Sequence, residues 1–177
     1  MSSVIWHATI SLDGFLAGPR GEMDWMAAAA GLPNPAGWAL VPRIGAIVAG
    51  RRTHDLGIAH GDGRPYGGAW SGPIVVPTSR PYACSPHPDV VFVDGVGEAV
   101  RRAREAAGDK DVAVLGGAVG GVAVGLGLVD ELLVHVVPVL LGDGIPLWPR
   151  TERQAFEVLE SSAPGELTTL RLHPVRR

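Results

Sequence analysis

Three clusters in the chain have residue types suited to holding an anion, and two carboxylates stand near them. Gly50-Arg51-Arg52-Thr53 follows the apolar run 46–49 and precedes a segment that starts as a helix, with Thr53 or Asp55 near its first turn. A strand turning sharply into a helix leaves backbone N–H groups unpaired at the helix start, and that end carries partial positive charge. Anions bind there, and two guanidiniums add full charge in a fork that matches phosphate oxygens. The same four residues also suit an ordinary strand-to-helix turn with two solvated arginines, since so short a string is not specific. Thr78-Ser79-Arg80 offers two hydroxyls and a guanidinium, the groups an adenosine 2′-phosphate needs. Gly116-Gly117 lets a pyrophosphate approach the backbone with no Cβ in the way.

Each cluster must be placed by a strand. The runs 46–49, 73–77 and 112–115 are short and apolar, bounded by glycine, proline or polar residues, and read as buried strands. Residues 4–10 read as the first strand, 11–14 as a turn, 15–17 as a short return and 90–93 as a further strand. Asp24 heads a short helix over 25–30, and Asp94 or Gly95 opens a helix over 98–107 that Gly108 closes. Prolines make 31–42 a loop or a broken helix. Residues 57–72 form a long glycine-rich connection, and 118–126 a helix of small residues packed closely against something. Residues 129–141 read as one long apolar strand suited to a central position or a subunit contact, and 156–161 with 167–172 as an antiparallel terminal pair. Strands alternating with helices predict an α/β fold with a mixed, mostly parallel central sheet flanked by helices, ending in antiparallel strands. The three clusters then lie at the C-terminal ends of parallel strands, the edge where such sheets bind ligands.

At 177 residues the chain is read as a single domain over 1–177. A net charge of −3 provides no basic field for nucleic acid. The six histidines show no metal-ligand spacing, so no metal is expected. Cys84 is the sole cysteine, which excludes an internal disulfide and fits a reducing compartment. The start of the chain has no basic stretch before its first strand, so no signal peptide is expected, and glycines interrupt the longest apolar stretch, so no membrane span is expected. A cytoplasmic protein follows from these features. No G-x-G-x-x-G follows the first strand, so the common dinucleotide fingerprint is absent.

Seven segments together resemble the dihydrofolate reductase-like superfamily, and within it the reductase domain of the riboflavin-biosynthesis deaminase-reductase and its stand-alone relatives. They are Ser-Leu-Asp-Gly-Phe-Leu-Ala at 11–17, Met-Asp-Trp at 23–25, Gly-Arg-Arg-Thr at 50–53 and Thr-Ser-Arg-Pro at 78–81. Leu-Gly-Gly at 115–117, Val-Asp-Glu-Leu at 129–132 and Pro-Val-Leu-Leu-Gly-Asp-Gly-Ile-Pro-Leu-Trp at 138–148 complete the set. The resemblance implies an NADPH-dependent reductase that passes hydride to a C=N or C=O carbon of a small heterocyclic substrate. It implies nicotinamide contacts at Thr9 and Leu16, and phosphate contacts at Gly50, Arg51, Arg52 and Thr53. The 2′-phosphate falls to Arg51, Thr78, Ser79 and Arg80, and the pyrophosphate to Gly116 and Gly117. It also implies a homodimer. A dihydrofolate reductase proper and a non-catalytic NADPH-binding homologue are the alternatives.

The candidate catalytic groups are Asp13 and Asp24. Asp13 would orient substrate or relay a proton, or else shape the turn before Gly14. Asp24 would be a general acid at the pocket mouth, or else a helix cap. Folate-reducing members carry a carboxylate on their first helix, and Asp24 stands only at the start of this one.

Overall fold

The computed structural model describes residues 2–29, 31–60, 63–80 and 87–175. Cys84, Pro81 and Ala30 lie outside the described residues. Among the described residues the strands form an eight-stranded sheet in the order β5-β4-β3-β6-β1-β7-β10-β9. These are β1 (Val4–Ser11), β3 (Ile44–Ala49), β4 (Ile74–Pro77), β5 (Val90–Val93), β6 (Asp111–Leu115), β7 (Glu131–Val137), β9 (Phe156–Ser162) and β10 (Thr168–Pro174). The first six in spatial order pair in parallel, while β10 runs antiparallel to β7 and β9 to β10. A separate two-stranded ribbon joins β2 (Phe15–Ala17) to β8 (Ile145–Pro146). The expected mixed, mostly parallel sheet with an antiparallel end is what the chain builds.

One sheet face is covered by α3 (Val96–Ala107) and α4 (Gly117–Gly125), which bury Ala99, Val100, Ala103, Val119 and Ala123 over Val4, Trp6, Val48 and Val114. α4 lies close because glycines stand among the residues on its inner side. A Cβ on Gly120 would overlap the Trp6 indole, which is 1% exposed. The small-residue segment is thus packed against a buried tryptophan. The other face is covered by α1 (Pro35–Leu40), with Leu40 and Trp70 over Ile5, Ile47 and Leu133. Residues 31–42 therefore contain a helix where proline suggested a break. Asn34 caps it by accepting from Gly37 N at 2.8 Å, and Pro35 stands in its first turn, where no N–H is needed. The 24–29 segment is a 3-10 helix beginning at Asp24.

Two boundaries differ from expectation, and a third is decided between two expected residues. β7 stops at Val137, because Pro138 has no N–H for the ladder and Val139 N turns back to Val137 O. It lies between β1 and β10, largely buried within the chain, in the central position expected of it. α2 (Arg51–His60) runs into the glycine-rich connection, which also folds a short 3-10 turn at Pro65–Gly68. Gly95, with φ +78, is the N-cap of α3, and Asp94 gives no side-chain cap there.

The sequence pair Asp130-Glu131 has a structural account. Asp130 accepts from Val4 N at 2.8 Å, fixing the entry of β1. Glu131 takes Arg171 of β10 in two parallel bonds, both 2.9 Å. No helix among the described residues is long and apolar enough to cross a membrane.

Candidate cofactor trough and substrate cavity

The three anion-suited clusters end three adjacent strands. Sheet order places β4, β3 and β6 side by side and parallel, so their C-terminal ends share one edge. Gly50 N donates to Leu115 O at 3.0 Å, tying the end of β3 to the end of β6. The Arg51 guanidinium donates to the Arg80 carbonyl, tying the end of β3 to the loop after β4. A Cβ on Gly116 would stand 2.6 Å from the Thr53 hydroxyl, so the loop after β6 rests on the first turn of α2. All eight residues from Gly50 to Thr53, Thr78 to Arg80 and Gly116 thus surround one place.

The floor of that place is bare backbone. α2 and α4 both begin there, neither has an acidic residue in its first turn, and α4 has no side-chain cap on its N-terminal N–H groups. Gly116 takes φ +108, which glycine adopts without strain. Leu16 of β2 packs 3.0 Å from where a Gly117 Cβ would be, bringing the β2 ribbon against the start of α4.

The cations do different jobs. Arg51 is held on three sides: its Nε donates to Asp55 at 2.9 and 3.0 Å, its Nη1 to Arg80 O, and its guanidinium lies 5.5 Å from the Phe92 ring centre. It shapes the trough wall as much as it charges it. Arg52 and Arg80 are exposed, and Thr78 Oγ1 accepts from Arg80 N at 3.1 Å, which fixes the loop that presents the Arg80 side chain.

Thr9 lies on the opposite side of β1 from Trp6 and lines a cavity of about 220 Å³ with Met26, Ala29, Asn34, His135 and Leu167. Thr9 and His135 are register partners on β1 and β7. Neither carboxylate candidate is among those lining residues. Asp13 is exposed at the turn, where its carboxylate accepts from the Ser11 hydroxyl at 2.6 Å and from Gly142 N at 2.7 Å and Leu141 N at 3.1 Å. The Ser11 bond above all, then those two backbone bonds, hold it below the usual carboxylate range. So engaged, Asp13 clamps the β1–β2 turn to the 141–142 loop. Asp24 is exposed at the start of its 3-10 helix. Asp143 accepts from Gly144 N at 2.8 Å and shapes its turn, and Trp148 packs 6.4 Å from Trp6 between ring centres.

Sequence reasoning missed one set of groups. His7 Nδ1 lies 3.0 Å from Tyr66 Oη, His7 Nε2 lies 3.0 Å from His135 Nε2, and His135 Nδ1 lies 2.8 Å from Thr169 Oγ1. This file of four polar groups crosses β1, β7 and β10 beneath the cavity. Its only trace in the sequence was that His7 shares a strand face with Thr9; the pairing of residues 128 apart was not readable.

No protein-family model matches the sequence, and no curated protein matches it. Solved structures do. A protein provisionally assigned to riboflavin biosynthesis, from Shewanella sp. PV-4, superposes with a TM-score of 0.80 at 27% identity over 99% of this chain and 100% of that one. The fold is dihydrofolate reductase-like, of the RibD reductase type. RibD from Acinetobacter baumannii has a TM-score of 0.69 at 18% identity over 99% of this chain. A diaminohydroxyphosphoribosylaminopyrimidine deaminase/5-amino-6-(5-phosphoribosylamino)uracil reductase from Thermotoga maritima has 0.67 at 15% over 98%. The chain spans 58% and 57% of those two proteins.

Proposed function

We propose that the chain is an NADPH-dependent reductase acting on a C=N or C=O of a small heterocyclic substrate, of the 5-amino-6-(5-phosphoribosylamino)uracil reductase type. The observation that carries this is the meeting of Gly50–Thr53, Thr78–Arg80 and Gly116 at one sheet edge. The residues fit the cofactor's phosphates on one test in particular: α4 begins at this edge with no acidic residue in its first turn and no side chain capping its N-terminal N–H groups.

A bound NADPH supplies the hydride. The chain's own residues bind and orient. Arg80, with the Thr78 and Ser79 hydroxyls, would hold the 2′-phosphate that separates NADPH from NADH. Gly50, Arg52, Thr53 and the start of α4 at Gly116-Gly117 would hold the pyrophosphate. Thr9 and Leu16 would seat the nicotinamide, Leu16 beside the start of α4 and Thr9 in the wall of the cavity. The apolar walls Met26, Ala29 and Leu167 would exclude water from the reacting face. The absence of a carboxylate from the lining residues speaks against a folate reductase. A second copy of the chain would cover β9, the edge strand on which Val158 and Leu159 are 64% and 57% exposed; sedimentation at micromolar concentration tests that.

The test of the activity is NADPH oxidation with the product of the pyrimidine deamination step, 5-amino-6-(5-phosphoribosylamino)uracil, and with dihydrofolate. Turnover of the pyrimidine alone supports the reading; turnover of dihydrofolate alone, or of neither, counts against it.

A further inference from the structure

The cavity beside Thr9 has one titratable group among its lining residues, His135, and that group is not free to titrate as an ordinary histidine. The gap between His7 Nε2 and His135 Nε2 is 3.0 Å and holds one proton when both rings are neutral. One ring then carries its proton on Nε2 and the other on Nδ1. If His7 holds the shared proton, Tyr66 donates to His7 Nδ1 and His135 Nδ1–H donates to Thr169. If His135 holds it, His7 Nδ1–H donates to Tyr66 and Thr169 donates to His135 Nδ1. Either way all four groups are satisfied, and both nitrogens of His135 are engaged outside the cavity.

We propose that Tyr66 and His7 are positioning residues that hold His135 neutral and fixed in the cavity wall, so that the cavity takes an uncharged heterocyclic ring. The inference rests on the cavity being the substrate site of the reductase proposed above. Three observations support it. The rings of Tyr66 and His7 stack at 5.5 Å, and His7 meets His135 edge-on at 5.1 Å, so each ring is fixed by its neighbour. Tyr66 takes φ +56, a conformation that costs a non-glycine residue and is kept where surrounding contacts impose it. Burial, and for His7 the neighbouring His135, pushes His7 down to about 3 and burial pushes His135 to about 4. The charged groups on the same face of β7 and β10, Glu131 and Arg171, hold each other at 2.9 Å. With no charge on the lining residues, a charged ring would lose its water without gaining a counter-charge. The polar contacts left for a ligand are the Thr9 hydroxyl and the Asn34 amide, whose Oδ1 already accepts from Gly37 N.

The test uses the full chain labelled with 15N at histidine, with long-range proton–nitrogen spectra, and uracil and orotate as neutral and anionic ring probes. The wild type should show His7 and His135 neutral at pH 6, one protonated on Nε2 and the other on Nδ1. Tyr66→Phe, which removes one oxygen, should move the His135 nitrogen shifts although the Tyr66 hydroxyl is bonded to His7 and not to His135. It should weaken uracil by about tenfold and leave NADPH affinity within about twofold. Uracil should bind the wild type and orotate should not. The inference is overturned if both rings share a tautomer, if either is charged at pH 6, if uracil fails to bind, if orotate binds as tightly, or if Tyr66→Phe leaves His135 and uracil affinity as they were. Failure of NADPH to bind would remove the reductase reading, while the ligand-free spectra would still decide the histidine arrangement.

Discussion

Gly116 sits directly over Thr53: a Cβ at position 116 would come 2.6 Å from the Thr53 hydroxyl, at a backbone φ of +108. This close approach joins the end of β6 to the start of α2 and leaves no room for a side chain at 116. Gly116→Ala should therefore cost about 1–3 kcal/mol of stability and lower NADPH affinity by at least about tenfold. Thermal unfolding with and without NADPH measures both; a variant with unchanged melting and an unchanged NADPH shift would show that the glycine is not needed.

In the proposed reductase Arg80 is the exposed cation that would read the 2′-phosphate. Arg80→Ala keeps the backbone carbonyl that accepts from Arg51, so the loop should hold. NADPH affinity should fall by about tenfold or more while NADH affinity stays the same. Titration of both dinucleotides by fluorescence checks this, and an unchanged ratio would remove Arg80 from the site.

The approach of α4 to Trp6 sets a packing prediction. Gly120→Ala places a methyl group inside the Trp6 indole, and the helix must move. Overpacking of this kind costs about 1–3 kcal/mol, read as a lower urea midpoint with an unchanged slope. A neutral effect would mean that the helix stands further off than described.

The histidine pair makes stability pH-dependent. In the folded chain His7 and His135 stay neutral down to about 3 and 4, whereas unfolded histidines protonate near about 6.5. Between these values the unfolded chain binds protons that the folded chain refuses, so stability is full above about pH 6.5 and falls as pH drops below it. The slope is at most about 1.4 kcal/mol per pH unit for each histidine. Urea unfolding at pH 7 and pH 5 should show the loss, and His7→Gln should reduce it. A wild type equally stable at both would contradict the buried neutral pair.

Asp13→Asn separates the clamp from a catalytic acid. The amide keeps an acceptor for the 141–142 backbone, so NADPH affinity should stay within about twofold and the melting temperature should drop only modestly. Loss of turnover with melting and cofactor affinity intact would instead make Asp13 catalytic.

The sheet edges were legible because their signals are local. Apolar runs ended by Gly50, Thr78 and Gly116 state both the strand and its stop, and parallel order follows from strand–helix alternation. Helix α1 was hidden by Pro33, Pro35 and Pro42, yet Asn34 with Pro35 is a start signal in its own right. β7 was overrun because hydrophobicity continues past Val137, and only the missing N–H of Pro138 ends the ladder. Asp13 left its role open because its partners, Leu141 and Gly142, are far along the chain. The His7–His135 contact was not legible at all, since it depends on the β1–β7 register.

The most direct measurement is a paired titration of the wild-type chain with NADPH and NADH, followed by protein fluorescence. A trough built from Arg80, the Thr78 and Ser79 hydroxyls and the bare backbone at Gly116-Gly117 predicts saturable NADPH binding at least about tenfold tighter than NADH. Equal affinity for the two, or binding of neither, would contradict it.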